Sequence, residues 1–177
     1  MYKQKTHRVA DRIVSFHRPY VRPIKRGKSG KSTEFGGKGA LSHVDGFLFL
    51  DHFEHSAFPE DKLTMEQVKA YKQKFGKLPP YMAADRKYGT RENRKDLEEE
   101  EIRASFRPLG RRPKGENRAD RWFKAKQKER NRIEGSFGHG KQHCGMDRVK
   151  YAGKHGSEMW IRGCLLAMNL QTAAKKV

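Results

Sequence analysis

The chain is 177 residues long, room for one domain with a real core, and its 40 lysines and arginines against 21 aspartates and glutamates give a net charge of +19 that points to a polyanionic partner. Two cysteines, Cys144 and Cys164, without any CxxC exclude a disulfide framework. The first residues hold no apolar signal core, and the most apolar run, residues 159–170, is broken by Arg162 and Asn169 and too short to span a bilayer, so a reduced, cytoplasmic setting with no membrane partner is expected.

Residues 1–34 read as a basic, largely irregular lead-in punctuated by Pro19, Pro23, Gly27 and Gly30, with a short extended piece near residues 13–16. Residues 35–44 and 47–53 flank Asp45-Gly46, a dipeptide suited to a tight two-residue hairpin turn. The second arm, with Phe47, Leu48, Phe49 and Leu50, is apolar on both faces, as a central strand would be. Left uncovered, its edge would invite pairing between chains. A helix is predicted over 61–75, with Asp61 as cap, Leu63, Met65, Val68, Tyr71 and Phe75 on its apolar side, and Gly76 as stop.

Pro79-Pro80 leads into a short strand, 81–84, that ends at Asp85. Thr90 caps a second helix, and the acidic run 98–101 is its solvated tail. Residues 102–106 read as a strand, 108–115 as a basic loop, 116–137 as a long helix and 157–174 as a final buried helix. Charge is uneven along this order: residues 1–50 carry 11 Lys/Arg against 3 Asp/Glu, 101–150 carry 15 against 6, and 51–100 are near neutral at 10 against 11. Two basic regions around a neutral centre suit a surface that grips phosphates.

Two carboxylates stand out. Asp85 sits where a buried strand should end, and Glu134 lies on the strongly basic helix. Arg130, Glu134 and Lys141 are four and seven apart, so one helix face carries all three. Plainer readings stand beside this one. Asp85 and Arg86 could form a surface ion pair, and Glu134 with Arg130 an ordinary helix salt bridge worth about 0.3–0.5 kcal/mol. Arg121, Lys124, Lys128 and Arg132, with Arg118 and Lys126, read as a general phosphate-tracking surface, and Trp122, Phe123, Ile133 and Phe137 as the helix's core face. Gly135, Gly138 and Gly140 each cost about 1 kcal/mol inside a helix. Either the helix packs closely there, or it ends near Phe137 and Lys141 sits on a turn. His139, His143 and Cys144 invite a zinc reading, but no second ligand pair at structural spacing accompanies them.

The chain resembles the C-terminal part of a bacterial insertion-sequence transposase of the DDE superfamily. The likeness runs from about Arg8 to Leu170 and includes Arg12-Ile13-Val14-Ser15, Tyr20-Val21-Arg22-Pro23-Ile24, Arg26-Gly27-Lys28, Glu34-Phe35-Gly36, Val44-Asp45-Gly46, Ala84-Asp85-Arg86, Thr90-Arg91-Glu92-Asn93 and Pro108-Leu109-Gly110-Arg111. The family's glutamate signature is Tyr, two residues, Arg, three, Glu, six, Lys. Arg130, Glu134 and Lys141 match it, with Gln127 in the tyrosine position.

The resemblance implies an α/β, ribonuclease-H-like mixed sheet flanked by helices over residues 35–177, truncated at its N-terminus. It implies Asp85 and Glu134 as catalytic, metal-binding carboxylates. It also implies Arg130, Lys141, Arg132, Lys128, Lys124 and Arg121 as DNA-binding groups, and magnesium or manganese as cofactor. DNA, both element ends and target, is the implied partner, with a homo-oligomer or a companion N-terminal fragment alongside. The family's first aspartate belongs on a strand before the hairpin and has no match here. Asp11, Asp45 and Asp51 are the available substitutes, Asp45 being part of the turn. The expectation is therefore a transposase fragment, a decayed gene product or one piece of a split reading frame. The other reading is a non-catalytic, basic nucleic-acid-binding remnant.

Overall fold

The computed structural model describes residues 11–25, 33–107, 109–110, 118–151 and 153–177, with the backbone alone for 118–120. The chain divides into two compact units, Met1–Phe58 with Gly145–Val177, and Pro59–Cys144. Secondary structure is mixed α/β: strands β1 (Pro23–Lys25), β2 (Thr33–Phe35), β3 (Lys38–Val44), β4 (Phe47–Glu54), β5 (Tyr81–Ala83) and β6 (Arg103–Ser105), with helices α1 (Thr64–Phe75), α2 (Arg91–Glu99), α3 (Arg118–His143) and α4 (Gly156–Ala174). Where the resemblance implies one mixed sheet, the described strands pair two by two, β1–β2 and β3–β4 antiparallel and β5–β6 parallel. No helix among the described residues is long and apolar enough to cross a membrane.

In the first unit the lead-in is less irregular than expected. Pro23 pairs with Phe35 and Lys25 with Thr33, so Phe35 belongs to β2 and not to the hairpin arm. The extended piece expected at 13–16 forms no strand. Three-residue strands broken by proline and glycine are too short to show a period, which is why sequence pattern overlooks them. Much of the lead-in, residues 1–10 and 26–32, lies outside the described residues, as does most of the basic loop 108–115.

The hairpin forms around the predicted turn. Val44 faces Phe47, and Asp45 (φ 50°) and Gly46 (φ 92°) both take the left-handed backbone of a type I′ turn. Beside that closing pair, His43 and Leu48 form a pair that exchanges no ladder bonds, so the Leu48 N–H and C=O point away from β3. Asn169 of α4 takes both: its Oδ1 accepts from the Leu48 N–H and its Nδ2 donates to the Leu48 carbonyl, each at 2.8 Å. Leu48 and Leu50 are buried, as are Cys164, Leu165 and Met168 of α4. The open apolar edge expected on this arm is thus covered at Leu48, and Asn169, which interrupts an apolar run in the sequence, is the residue that covers it. Asn169→Ala leaves two buried backbone groups unpaired and should cost about 1–3 kcal/mol in a urea melt. An unchanged midpoint would count against this role.

The second unit is layered. Chain entry into α1 runs through a 3₁₀ turn, Glu60–Leu63, and the Thr64 hydroxyl donates to the Asp61 carbonyl at 2.8 Å, so the Asp61 side chain does not cap the helix as expected. Gly76 (φ 72°) ends α1 and the Thr90 hydroxyl caps α2, both as predicted. β5 and β6 lie parallel, Tyr81 beside Arg103 and Ala83 beside Ser105, with α2 as the crossover. Side chains alternate across this pair. Met82, Ala84, Ile102, Ala104 and Phe106 join Val68 of α1, Leu97 of α2 and Tyr88 in one core. Tyr81, Arg103 and Ser105 turn to the opposite face, which α3 covers.

Candidate active site

Asp85 stands two residues beyond β5 in extended backbone (φ −68°, ψ 164°) and caps a single 3₁₀ turn, Arg86–Tyr88; its Oδ1 accepts from the Arg86 N–H at 2.7 Å. Its side chain is exposed. The turn behind it is tightly held. Tyr88 is buried, and the Tyr88 N–H donates to the Asp85 carbonyl at 3.0 Å. The buried Asn93 amide donates to the carbonyls of Tyr88 and Asp61, both at 2.9 Å. Arg94 lies over the Phe106 ring and donates to the Gly89 carbonyl at 3.2 Å. Asn93→Ala should therefore cost about 1–3 kcal/mol and raise amide exchange at Tyr88 and Gly89. Unchanged exchange there would show that the Asp85 turn does not depend on this amide.

α3 is fastened across β5 and β6 by mixed contacts. The Arg103 guanidinium lies 3.7 Å from the Trp122 ring centroid, and Trp122 meets Tyr81 edge-on at 6.2 Å. The Tyr81 hydroxyl donates to Glu129 at 2.7 Å, and Lys126 reaches the same carboxylate at 2.9 Å while sitting over the Tyr81 ring. The Lys126 hydrogen bond, then that from Tyr81, holds the Glu129 carboxyl below its ordinary range. Trp122 is thus half-buried on the face that α3 turns to the strands, and Lys126 serves packing and not a free phosphate-tracking surface.

These contacts also set the direction of α3. Trp122 lies against Arg103, the first residue of β6, and Gln127 against Ser105, its last, so the helix ascends with the strands. Glu134 is seven residues further, about 10 Å along the axis at 1.5 Å per residue. Asp85 extends past the end of β5 by two residues, about 7 Å. Both carboxylates stand at the C-terminal end of the strand pair. The geometry brings them to one end and leaves both exposed, Glu134 at 69% of its side chain.

The break expected near Phe137 does not occur, and the close packing offered as its alternative is absent at Gly135 and Gly138, while Gly140 is buried. α3 continues through all three to His143, and a side chain at Gly135 or Gly138 would meet nothing within 4 Å, so no close packing requires them. Lys141 is on the helix, on one stripe with Gln127, Arg130 and Glu134. Arg121, Lys124, Lys128, Arg132 and Lys141 are exposed, whereas Arg130 is half-buried and pairs with Glu134 at 3.4 Å. Asp85 makes its short bond to the Arg86 backbone. The rings of His139 and His143 lie 4.9 Å apart.

The donor chemistry suits a hard cation. Magnesium needs only one or two carboxylates when it keeps its waters and meets a phosphate. Two metal ions need more, and no group of three or more His, Cys, Asp or Glu gathers in a metal-binding arrangement among the described residues. Of the substitutes for a first aspartate, Asp11 (φ 51°) pairs with Arg22 at 3.7 Å, Asp45 stays in its turn, and Asp51 accepts from Ser42 at 3.0 Å. In the sequence Asn93 appears only as part of a matching motif, with no role, and Gln127 only as a departure from a signature; the spacing of three and seven from Gln127 to Arg130 and Glu134 was the available signal.

Asp85 lies just past β5, and Glu134 lies on α3 among exposed cations, the kind of charge that attracts phosphates. The family model for the transposase DDE domain matches residues 82–171, a span that holds all but the first residue of β5, Asp85, the whole of α3 and most of α4. The chain belongs to the transposase DDE domain family. No curated protein and no solved structure matches it. Membership makes DNA transposition its general function and DNA its substrate, in a family that uses divalent metal ions.

Proposed function

We propose that the chain is the C-terminal part of a DDE transposase of insertion-sequence type, which in its complete form cuts and joins DNA by metal-dependent phosphoryl transfer in the cytoplasm. Residues 35–177 would be its ribonuclease-H-like catalytic portion, with a first strand and first carboxylate supplied from outside the described residues, upstream or on a companion chain. The placement of Asp85 and Glu134 at the same end of β5 and β6 carries this reading, and the layering of helices on both faces of that pair supports the fold. Asp85 and Glu134 would hold magnesium or manganese, which supplies activation of the attacking oxygen and stabilisation of the leaving one.

The chain's own residues do the rest. The turn fixed by Asn93 sets the Asp85 carboxylate at the strand end. Arg130 and Lys141, on the Glu134 stripe, neutralise phosphates beside the break, and Arg121, Lys124, Lys128 and Arg132 follow the backbone further along. Water would open the strand at the element end, and the freed 3′ hydroxyl would attack target DNA.

A second reading is a DNA-binding remnant without activity. The local partners of Asp11 and Asp51, the substitutes for a first carboxylate, favour it. A strand-transfer assay on element-end DNA with the upstream sequence restored separates the two. Metal-dependent product lost on Glu134→Ala supports the enzyme; full activity in that variant leaves only the binding surface.

A further inference from the structure

Gln127 stands where the resembled signature has tyrosine, and we propose that it positions Glu134, tying the glutamate's stripe of α3 to the end of β6 and steering Arg130 onto the carboxylate. The inference rests on the reading of Glu134 as a metal-binding carboxylate.

Both ends of one amide are used. Gln127 Nε2 donates to the Ser105 carbonyl at 2.7 Å and lies 3.4 Å from the Ser105 hydroxyl. Gln127 Oε1 accepts from Arg130 Nε at 3.2 Å, and Arg130 Nη1 reaches Glu134 Oε1 at 3.4 Å. The relay runs from a rigid anchor to a loose end. Ser105 is fully buried and ladder-paired with Ala83, Arg130 is 24% exposed, and the Glu134 side chain is 69% exposed.

An exposed glutamate on a helix samples several rotamers and must surrender that freedom to bind a cation. An isolated ion pair four residues away restrains it weakly, because arginine must be ordered too. Here the arginine is already held by Gln127, so its guanidinium is preorganised beside the carboxylate before a cation arrives. Outer partners of this kind orient the ligands that touch a metal, and their loss typically weakens metal binding about 10- to 100-fold.

A purely structural role, fastening α3 to the strands, is shared by Tyr81 through its bond to Glu129, and this provides the control. Manganese binding to the full chain, read from the electron paramagnetic resonance of the free ion, would be compared with melting temperature. Glu134→Ala should lose most binding. Gln127→Met, close in volume, should weaken it about tenfold. Tyr81→Phe should lower the melting temperature and leave manganese affinity unchanged. Parental affinity in Gln127→Met, with Glu134→Ala impaired, overturns the positioning role and leaves the reading of Glu134 standing. Equal losses in Gln127→Met and Tyr81→Phe reduce Gln127 to a fastener and overturn it as well. Parental affinity in Glu134→Ala overturns the reading of Glu134 itself. Should Gln127→Met melt below the assay temperature, Gln127→Asn, whose amide is one methylene short of both partners, replaces it.

Discussion

Asp85→Ala and Glu134→Ala should each reduce strand transfer by about 10²–10³-fold or more in a protein carrying the complete carboxylate set, the scale on which removal of one preorganised transition-state group acts. The reason is geometric. In-line displacement needs both the attacking and the leaving oxygen neutralised, and a pair of metal ions does this only when several converging oxygens fix their separation. On the proposed reading, Asp85 on its braced turn and Glu134 on α3 would be two such oxygen donors. Residues 1–177 alone should give no product with magnesium or manganese, because no third ligand joins these two among the described residues. Lys141→Ala should behave differently, weakening DNA engagement while leaving the rate at saturating DNA largely intact. Robust product from residues 1–177 alone would place the first carboxylate within them, and Asp11 would be the first residue to substitute.

How far the site was legible depended on the kind of signal. Asp85 and Glu134 stand out in the sequence because a carboxylate after an apolar strand and one within a basic helix are local patterns, and their surroundings resemble a known order of motifs. The Asp45-Gly46 turn and the Thr90 cap were equally local, each fixed by backbone chemistry at one or two residues. What escaped depends on contacts far apart in sequence. Asn169 meets Leu48 across 121 positions, and Asn93 meets Asp61 across 32. An asparagine in an apolar helix reads as an interruption until the strand edge it covers is known. Gln127 reads as a departure from a signature until Ser105 is seen beside it. The glycines of α3 misled in the other direction: helix propensity argued for a break, yet the helix continues, since propensity is a weak prior against a long helix already fastened at Trp122, Gln127 and Glu129.

The same distinction between engaged and exposed side chains sharpens what DNA binding should look like. The purified chain should bind duplex DNA weakly and without sequence preference, since a field of cations reads phosphates and not bases. If about five phosphates are neutralised by the exposed Arg121, Lys124, Lys128, Arg132 and Lys141, log affinity should fall against log salt with a slope of about −4.5. Between 50 and 200 mM salt that is a loss of about 500-fold. Each exposed contact removed should make the slope shallower by about 0.9, so Lys128→Gln and Arg132→Gln are the informative variants. Lys126→Gln is the contrast: its ammonium already bonds Glu129 and covers the Tyr81 ring, so the slope should hold while the melting temperature falls. A flat salt dependence, or a strong preference for one sequence, would sink the idea of a phosphate-tracking surface. An equal change of slope for Lys126→Gln and Lys128→Gln would show instead that net charge alone drives binding and that the exposed face of α3 has no special part in it.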